Sequence, residues 1–156
     1  MKSNTTLFIF SYLFCTIFKI GNIKYMPGTL GSIIGVVAGI FLKNTIPITY
    51  YVLIILLIFL IAIITINIYQ TKVGKKDRSE IIIDEFIGQQ IPIFFIELNI
   101  LNIVMCFILF RFFDILKIFP TNYIDRNFKT SYGIIADDVV AGFQALGTIY
   151  LIKLFI

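Results

Sequence analysis

The sequence predicts an all-α fold: a small helical membrane protein whose apolar helices surround an acidic, cytoplasmic-facing pocket. Three observations lead there. Hydrophobic residues make up 59% of the 156 residues and mean hydropathy is +0.98, above the about 45–50% apolar content of soluble domains. The apolar residues gather in long runs. Five acidic residues sit inside or beside those runs. A single domain over residues 1–156 is expected, because cores of this size rarely divide.

The first apolar stretch runs from Leu7 to Ile20. Lys2 precedes it as in a signal peptide, but it lacks an A-x-A cleavage site and Lys19 interrupts its end, so it reads as a retained interfacial helix. After a polar break, Tyr25-Met26-Pro27-Gly28-Thr29 leads into the run Leu30 to Leu42. Pro27 suits a helix entrance, where its missing N–H costs nothing. Gly31, Gly35 and Gly39 recur every fourth residue and clear one helix face for close packing, with a homodimer through that face left open. Ile46 to Ile68 carries no charge and is long enough to cross a hydrocarbon core of about 30 Å. The basic loop after it, with Lys72, Lys75, Lys76 and Arg78, belongs in the cytoplasm by the positive-inside rule. Ile81 to Phe110 contains Asp84, Glu85, Pro92, Glu97, Asn99 and Asn102, more polarity than a simple span tolerates, and predicts a broken or re-entrant pair of helices. A more polar segment, Arg111 to Gly133, follows. The last helix is expected from about Ile134 to Leu154, with an acidic pair at its head.

Several function classes fall away. The chain has no His, which removes imidazole acid–base catalysis, the Ser-His-Asp triad and imidazole zinc sites. Cys15 and Cys106 lie in apolar runs and read as core thiols. A net charge of +4 without a long cationic run suits anionic lipid headgroups better than nucleic acid.

The chemistry rests on Asp84, Glu85, Asp114, Asp137 and Asp138. One Asp at the centre of a membrane helix costs about 2.5–3.5 kcal/mol, so five call for a compensating cation. A helix running from Asp77 would place Asp77, Glu80 and Asp84 on one stripe. Oxygen donors without imidazole or thiolate suit Mg²⁺. In Arg111-Phe-Phe-Asp114-Ile-Leu-Lys117 two cations flank one carboxylate at successive i+3 steps. They form either a plain ion pair or a unit in which Asp114 faces a metal while Arg111 and Lys117 hold phosphate oxygens. Asp137 and Asp138 read either as the acidic start of a helix or as part of the same site. Pro27-Gly28-Thr29 opens a helix with backbone N–H groups and a hydroxyl, as phosphate sites do, or is an ordinary helix start; it is not a P-loop. If one ion gathers all these acids, Phe86 to Phe110 must return to the membrane face it left.

Pro27-Gly28-Thr29-Leu30-Gly31-Ser32, Asp77-Arg-Ser-Glu80-Ile-Ile-Ile-Asp84-Glu85-Phe-Ile-Gly88-Gln89, Arg111-Phe-Phe-Asp114-Ile-Leu-Lys117 and Asp137-Asp138-Val-Val-Ala141-Gly142 occur in this order. Together they resemble phosphatidylglycerophosphatase A, a family of bacterial lipid phosphatases, from about Lys24 to Ala145. The resemblance implies a helical, Mg²⁺-dependent phosphatase of the cytoplasmic membrane that converts phosphatidylglycerophosphate to phosphatidylglycerol. It carries Asp84, Glu85, Asp114, Asp137 and Asp138 over as the acidic site, to which oxygen-donor chemistry assigns the catalytic and metal-binding roles. Gly28, Thr29, Arg111 and Lys117 become the phosphate contacts. With no His, one of the pocket acids is expected to act as base. Arg78, Met26 and Ile118 depart from the family pattern without removing a carboxylate. Two alternatives stand: a membrane cation transporter, whose acids would be spread through the bilayer, and a phosphatase of another phosphomonoester.

Overall fold

The computed structural model describes residues 2–74 and 78–155, with side chains from Thr5 onward. Among these the chain forms α-helices and no strand: α1 Lys2–Cys15, α2 Pro27–Thr45, α3 Ile48–Val73, α4 Ile83–Phe95, α5 Ile100–Leu116, α6 Thr121–Asn127 and α7 Ser131–Phe155, with one 3-10 turn at Ile20–Asn22. Helices α2, α3 and α7 are each long and apolar enough to cross a membrane. The 26 residues of α3 reach about 39 Å at ~1.5 Å per residue. Its outward side chains Leu53, Leu56, Leu57 and Leu60 are about half exposed, as a lipid-facing surface requires.

Pro27 opens α2 at its first position, as its fixed φ allows. Helix α1 ends at Cys15 rather than Ile20, because Ile17, Phe18 and Lys19 all take positive φ and turn the chain. Its 14 residues are too few to span. Between them α4 and α5 form the expected hairpin: α4 stops at Phe95 and α5 starts back at Ile100. The bend is not at Pro92, which lies inside α4. Asn99 makes it, its side chain accepting from Asn102 N at 2.9 Å, a helix N-cap in its usual form. Lys43 of α2 closes the other side by donating to the carbonyls of Ile93 (3.1 Å), Phe94 (2.8 Å) and Ile96, which satisfies acceptors that a helix end leaves unpaired.

Helix α4 is the centre of the molecule, packed between α2 and α7. The glycine stripe of α2 faces it: a Cβ on Gly31 would stand 2.7 Å from Ile82 O, and one on Gly39 2.8 Å from Ile93 Cγ2. This face is therefore filled by the chain itself and is not free for a second copy. On the other side α4 and α7 cross almost backbone to backbone. A Cβ on Gly88 would meet Asp138 O at 2.6 Å, and one on Gly142 would meet Gly88 O at 2.5 Å. That carbonyl is the one Pro92, lacking an N–H, leaves without its helical donor.

Two further boundaries differ from expectation. Helix α5 continues through Asp114 to Leu116, so Arg111 to Leu116 is helix and not part of a polar connection. Helix α7 begins at Ser131, which puts Asp137 and Asp138 in its second turn with no acid in the first. Decoration of the helix dipole does not account for them, since that effect fades within the first turn.

Candidate active site

Asp84 and Glu85 occupy the first turn of α4, where the helix dipole favours negative charge. The hydrogen bond from Ile82 N to Cys15 O (3.0 Å) ties this helix start to the end of α1. The Gly88 crossing brings α7 so close that Asp138 joins them. Asp84, Glu85 and Asp138 each offer a carboxylate oxygen, all within 4.8 Å of one another. They open on a cavity of about 280 Å³ whose wall also carries Asp114, Lys117 and Asp137. The hairpin has thus returned Asp114 to the end of the molecule where Asp84 lies. All five acids predicted from sequence meet in one cavity.

The five divide by what neutralises them. Asp114 is paired with Arg111, one turn back on α5. Asp137 Oδ2 lies 2.5 Å from Lys117 Nζ, which also reaches Asp125 Oδ1 at 2.9 Å. Lys117 can do this because it ends α5 in the left-handed conformation, φ 45°, and so points off the helix toward α6 and α7. Burial pulls its ammonium down, but the bonds to Asp137 and Asp125 outweigh burial and hold it above its usual value. Asp84, Glu85 and Asp138 form no ion pair among the described residues. Helix α4 is too short to span, and burial at its start lifts Asp84 well above the ordinary carboxylate range, with Glu85 adding repulsion. Burial likewise pushes Glu85 up to about 8. Glu85 Oε2 and Asp137 Oδ1 are buried with no hydrogen-bond partner.

These observations test the fit of a divalent cation. Three uncompensated carboxylates converge, one with an orphaned buried oxygen, and among the described residues the group of possible ligands is made of carboxylates alone. Hard cations such as Mg²⁺ take this donor set.

The other expected contacts stand behind the cavity wall. A Cβ on Gly28 would overlap the Glu85 carboxylate and lie 3.2 Å from Arg111 Nη1, so the first turn of α2 is the backing of Glu85. Thr29 N donates to Met26 O at 3.0 Å, and its hydroxyl is buried without a partner. Arg111, besides Asp114, reaches the Ser32 hydroxyl at 3.4 Å, and that hydroxyl donates to Gly28 O at 2.9 Å. Of the four, only Lys117 lines the cavity. The acidic stripe does not form: Asp77 lies outside the described residues, and Glu80 precedes α4, accepting from Tyr69 OH at 2.9 Å and facing Arg78 at 3.6 Å.

Sequence reasoning did not place Arg78, Asp125 and Lys129 at the site, yet all three line the cavity. Lys129 Nζ stands 3.7 Å from Asp125, which also faces Lys117. The i, i+4 spacing of Asp125 and Lys129 was the available signal.

A family description, phosphatidylglycerophosphatase A, matches residues 13–153. The phosphatidylglycerophosphatase A of Haemophilus influenzae is 34% identical over 137 residues, 87% of this chain and 84% of its own. That of Escherichia coli is 32% identical over 136 residues, 86% of this chain and 78% of its own. A Bacteroides thetaiotaomicron protein provisionally named phosphatidylinositol-3-phosphatase is 31% identical over 133 residues, 80% of this chain and 82% of its own. No solved structure matches.

Proposed function

The chain belongs to the phosphatidylglycerophosphatase A family, and we propose that it hydrolyses the terminal phosphomonoester of phosphatidylglycerophosphate with Mg²⁺, at the cytoplasmic face of the membrane. The observation that carries this reading is the convergence of Asp84, Glu85 and Asp138 within 4.8 Å, in a cavity that also presents Lys117. The first three are the residues that would hold Mg²⁺. When bound, the ion supplies neutralisation of the phosphoryl charge and of the leaving alkoxide.

The remaining groups do the positioning. Lys117 has two of its three N–H bonds committed to Asp125 and Asp137, which leaves the third to donate to a phosphate in the cavity it lines. Asp137 gives Lys117 one oxygen and keeps the other, Oδ1, unbonded. Asp137, on the cavity wall, is the carboxylate that would take a proton from water as general base. Arg111 holds Asp114 in place from behind. The gathering of the acids at one end of the helices is the arrangement a surface enzyme needs, whereas an ion path would spread them along the helices. The basic residues Lys72 and Arg78 beside this end support its cytoplasmic orientation.

The test is phosphate release by the purified protein in detergent, from phosphatidylglycerophosphate and, in parallel, from phosphatidylinositol 3-phosphate. Release from the first that stops on chelation and resumes with Mg²⁺ is expected. Release from the second alone would move the assignment to another lipid phosphomonoester, and release that survives chelation would remove the metal.

A further inference from the structure

A second hollow opens beside the acidic cavity, and its position follows from how α3 is anchored. Near its start Tyr51 fixes α3, its hydroxyl donating to Gln90 Oε1 at 2.8 Å and its ring centroid 5.4 Å from that of Phe94. Near its end Ala62 and Ile66 join one buried cluster with Phe86 and Ile87 of α4. Between the anchors α3 stands away from α4 and α7, leaving a groove of about 440 Å³, within the about 300–1,000 Å³ of ligand pockets. Val52, Ile55, Leu56 and Phe59 line it from α3, and their i, i+3, i+4, i+7 spacing makes them one helix face. Across from them stand Ile91 of α4 and Phe143 of α7.

The groove starts close to the acidic cavity. Its inner end is formed by Ile87 and Val139, one turn past Asp84 on α4 and the residue after Asp138 on α7. From there it runs eight residues of α3, roughly 12 Å at ~1.5 Å per residue, to Tyr51. Its polar groups are engaged: Gln90 Nε2 donates to Gly35 O at 2.9 Å and Phe86 O at 3.0 Å, and Oε1 accepts from the Tyr51 hydroxyl. The remaining lining is apolar. An apolar groove of that length, starting beside the cavity that takes a headgroup, suits a single hydrocarbon chain.

We infer that this groove binds one acyl chain of the lipid whose phosphomonoester enters the acidic cavity, so that headgroup and chain are held by adjoining sites. The inference rests on the proposed lipid phosphatase reading and adds the chain to it. It predicts that part of substrate recognition is paid in apolar contact far from the carboxylates.

Two measurements test it. Leu56→Trp fills the groove from an exposed position outside the reaction site. Its kcat/KM for dioleoyl phosphatidylglycerophosphate should fall about tenfold, the scale set by lost contact in an apolar pocket, while turnover of the deacylated headgroup stays unchanged. No loss on the acylated substrate, or equal loss on both, overturns the proposal. The second needs no catalysis. The chain has no Trp, so Phe59→Trp reports on the groove alone. In dioleoylphosphatidylcholine vesicles a brominated-chain lipid phosphomonoester, phosphatidate, should quench it at a mole fraction several-fold lower than brominated phosphatidylcholine does. Equal quenching by both lipids overturns the groove, and so does quenching by neither, as when a second copy fills it. Selective quenching in a protein that releases no phosphate would leave the groove standing and remove the enzymatic reading.

Discussion

Asp114 and Asp137 carry their own cations, whereas Asp84, Glu85 and Asp138 do not. A buried acid without a partner takes up either a proton or a cation. Asp84→Asn or Asp138→Asn should therefore lower phosphate release by about 100-fold or more without lowering the melting temperature of the metal-free protein, because the swap removes buried repulsion and keeps the shape. A melting temperature that collapses along with activity would make these residues structural. A Mg²⁺ ion held by these acids would compete with the proton. Glu85 moves from an ordinary 4.5 to about 8, so the folded, metal-free protein holds that proton more tightly than the unfolded chain does. The resulting stability is complete below about pH 4.5 and is lost as pH rises through about 8. In chelator the melting temperature should fall across that window, and the rise produced by Mg²⁺ should be larger at about pH 8 than at about pH 6; thermal melts in detergent check both. The acids themselves were legible, since charge in an apolar run is costly. Their division was not, because Lys117 finds its partners 8 and 20 residues away, contacts that no local spacing encodes.

Among the helices, glycine decides which backbones can touch. Gly88 and Gly142 allow the α4–α7 crossing that sets Asp138 beside Asp84. Gly142→Leu should destabilise by about 1–3 kcal/mol and abolish activity. Gly147→Leu, on the same helix with nothing within 4 Å of its Cβ position, should do neither. Equal unfolding of the two in chemical denaturation would refute the role of the crossing. Lys43→Met strips three carbonyls at the end of α4 of their donor and should cost about 1–3 kcal/mol, measured the same way. The four-residue glycine spacing of α2 announced a close approach, and the structure names the partner as α4. Spacing along one helix carries no information about which neighbour fills the face. Polarity in Ile81 to Phe110 likewise announced a break, but Pro92 looked like its cause. Pro92 forfeits only one hydrogen bond, with Gly88 O, and lies within a continuous helix, while the true turn needed the pairing of Asn99 with Asn102.

For the whole molecule, the three long helices and the hairpin fix which ends share a face. Helix α2 leaves the acidic end at Pro27 and finishes at Thr45; α3 returns to it, and α4 and α5 turn back at Ile96–Asn99. The acidic cavity and its rim, with Arg78, Lys117 and Lys129, then lie at one end, while Thr45 and Glu97 lie at the other. An enzyme acting on a headgroup needs this segregation, because water and a charged phosphate reach a helix end far more easily than the apolar middle of a bilayer. Single cysteines can read it. Cys15 and Cys106 are buried and contribute little background, and Ser79, Lys129, Thr45 and Glu97 are exposed. With a membrane-impermeant thiol reagent, Ser79→Cys and Lys129→Cys should label only when the cytoplasmic face is open, and Thr45→Cys only from the opposite side. Labelling of Ser79→Cys and Thr45→Cys from the same side would break the three-span arrangement. The carboxylates of α4 and α7 would then lose the shared face on which a single metal-assisted site depends.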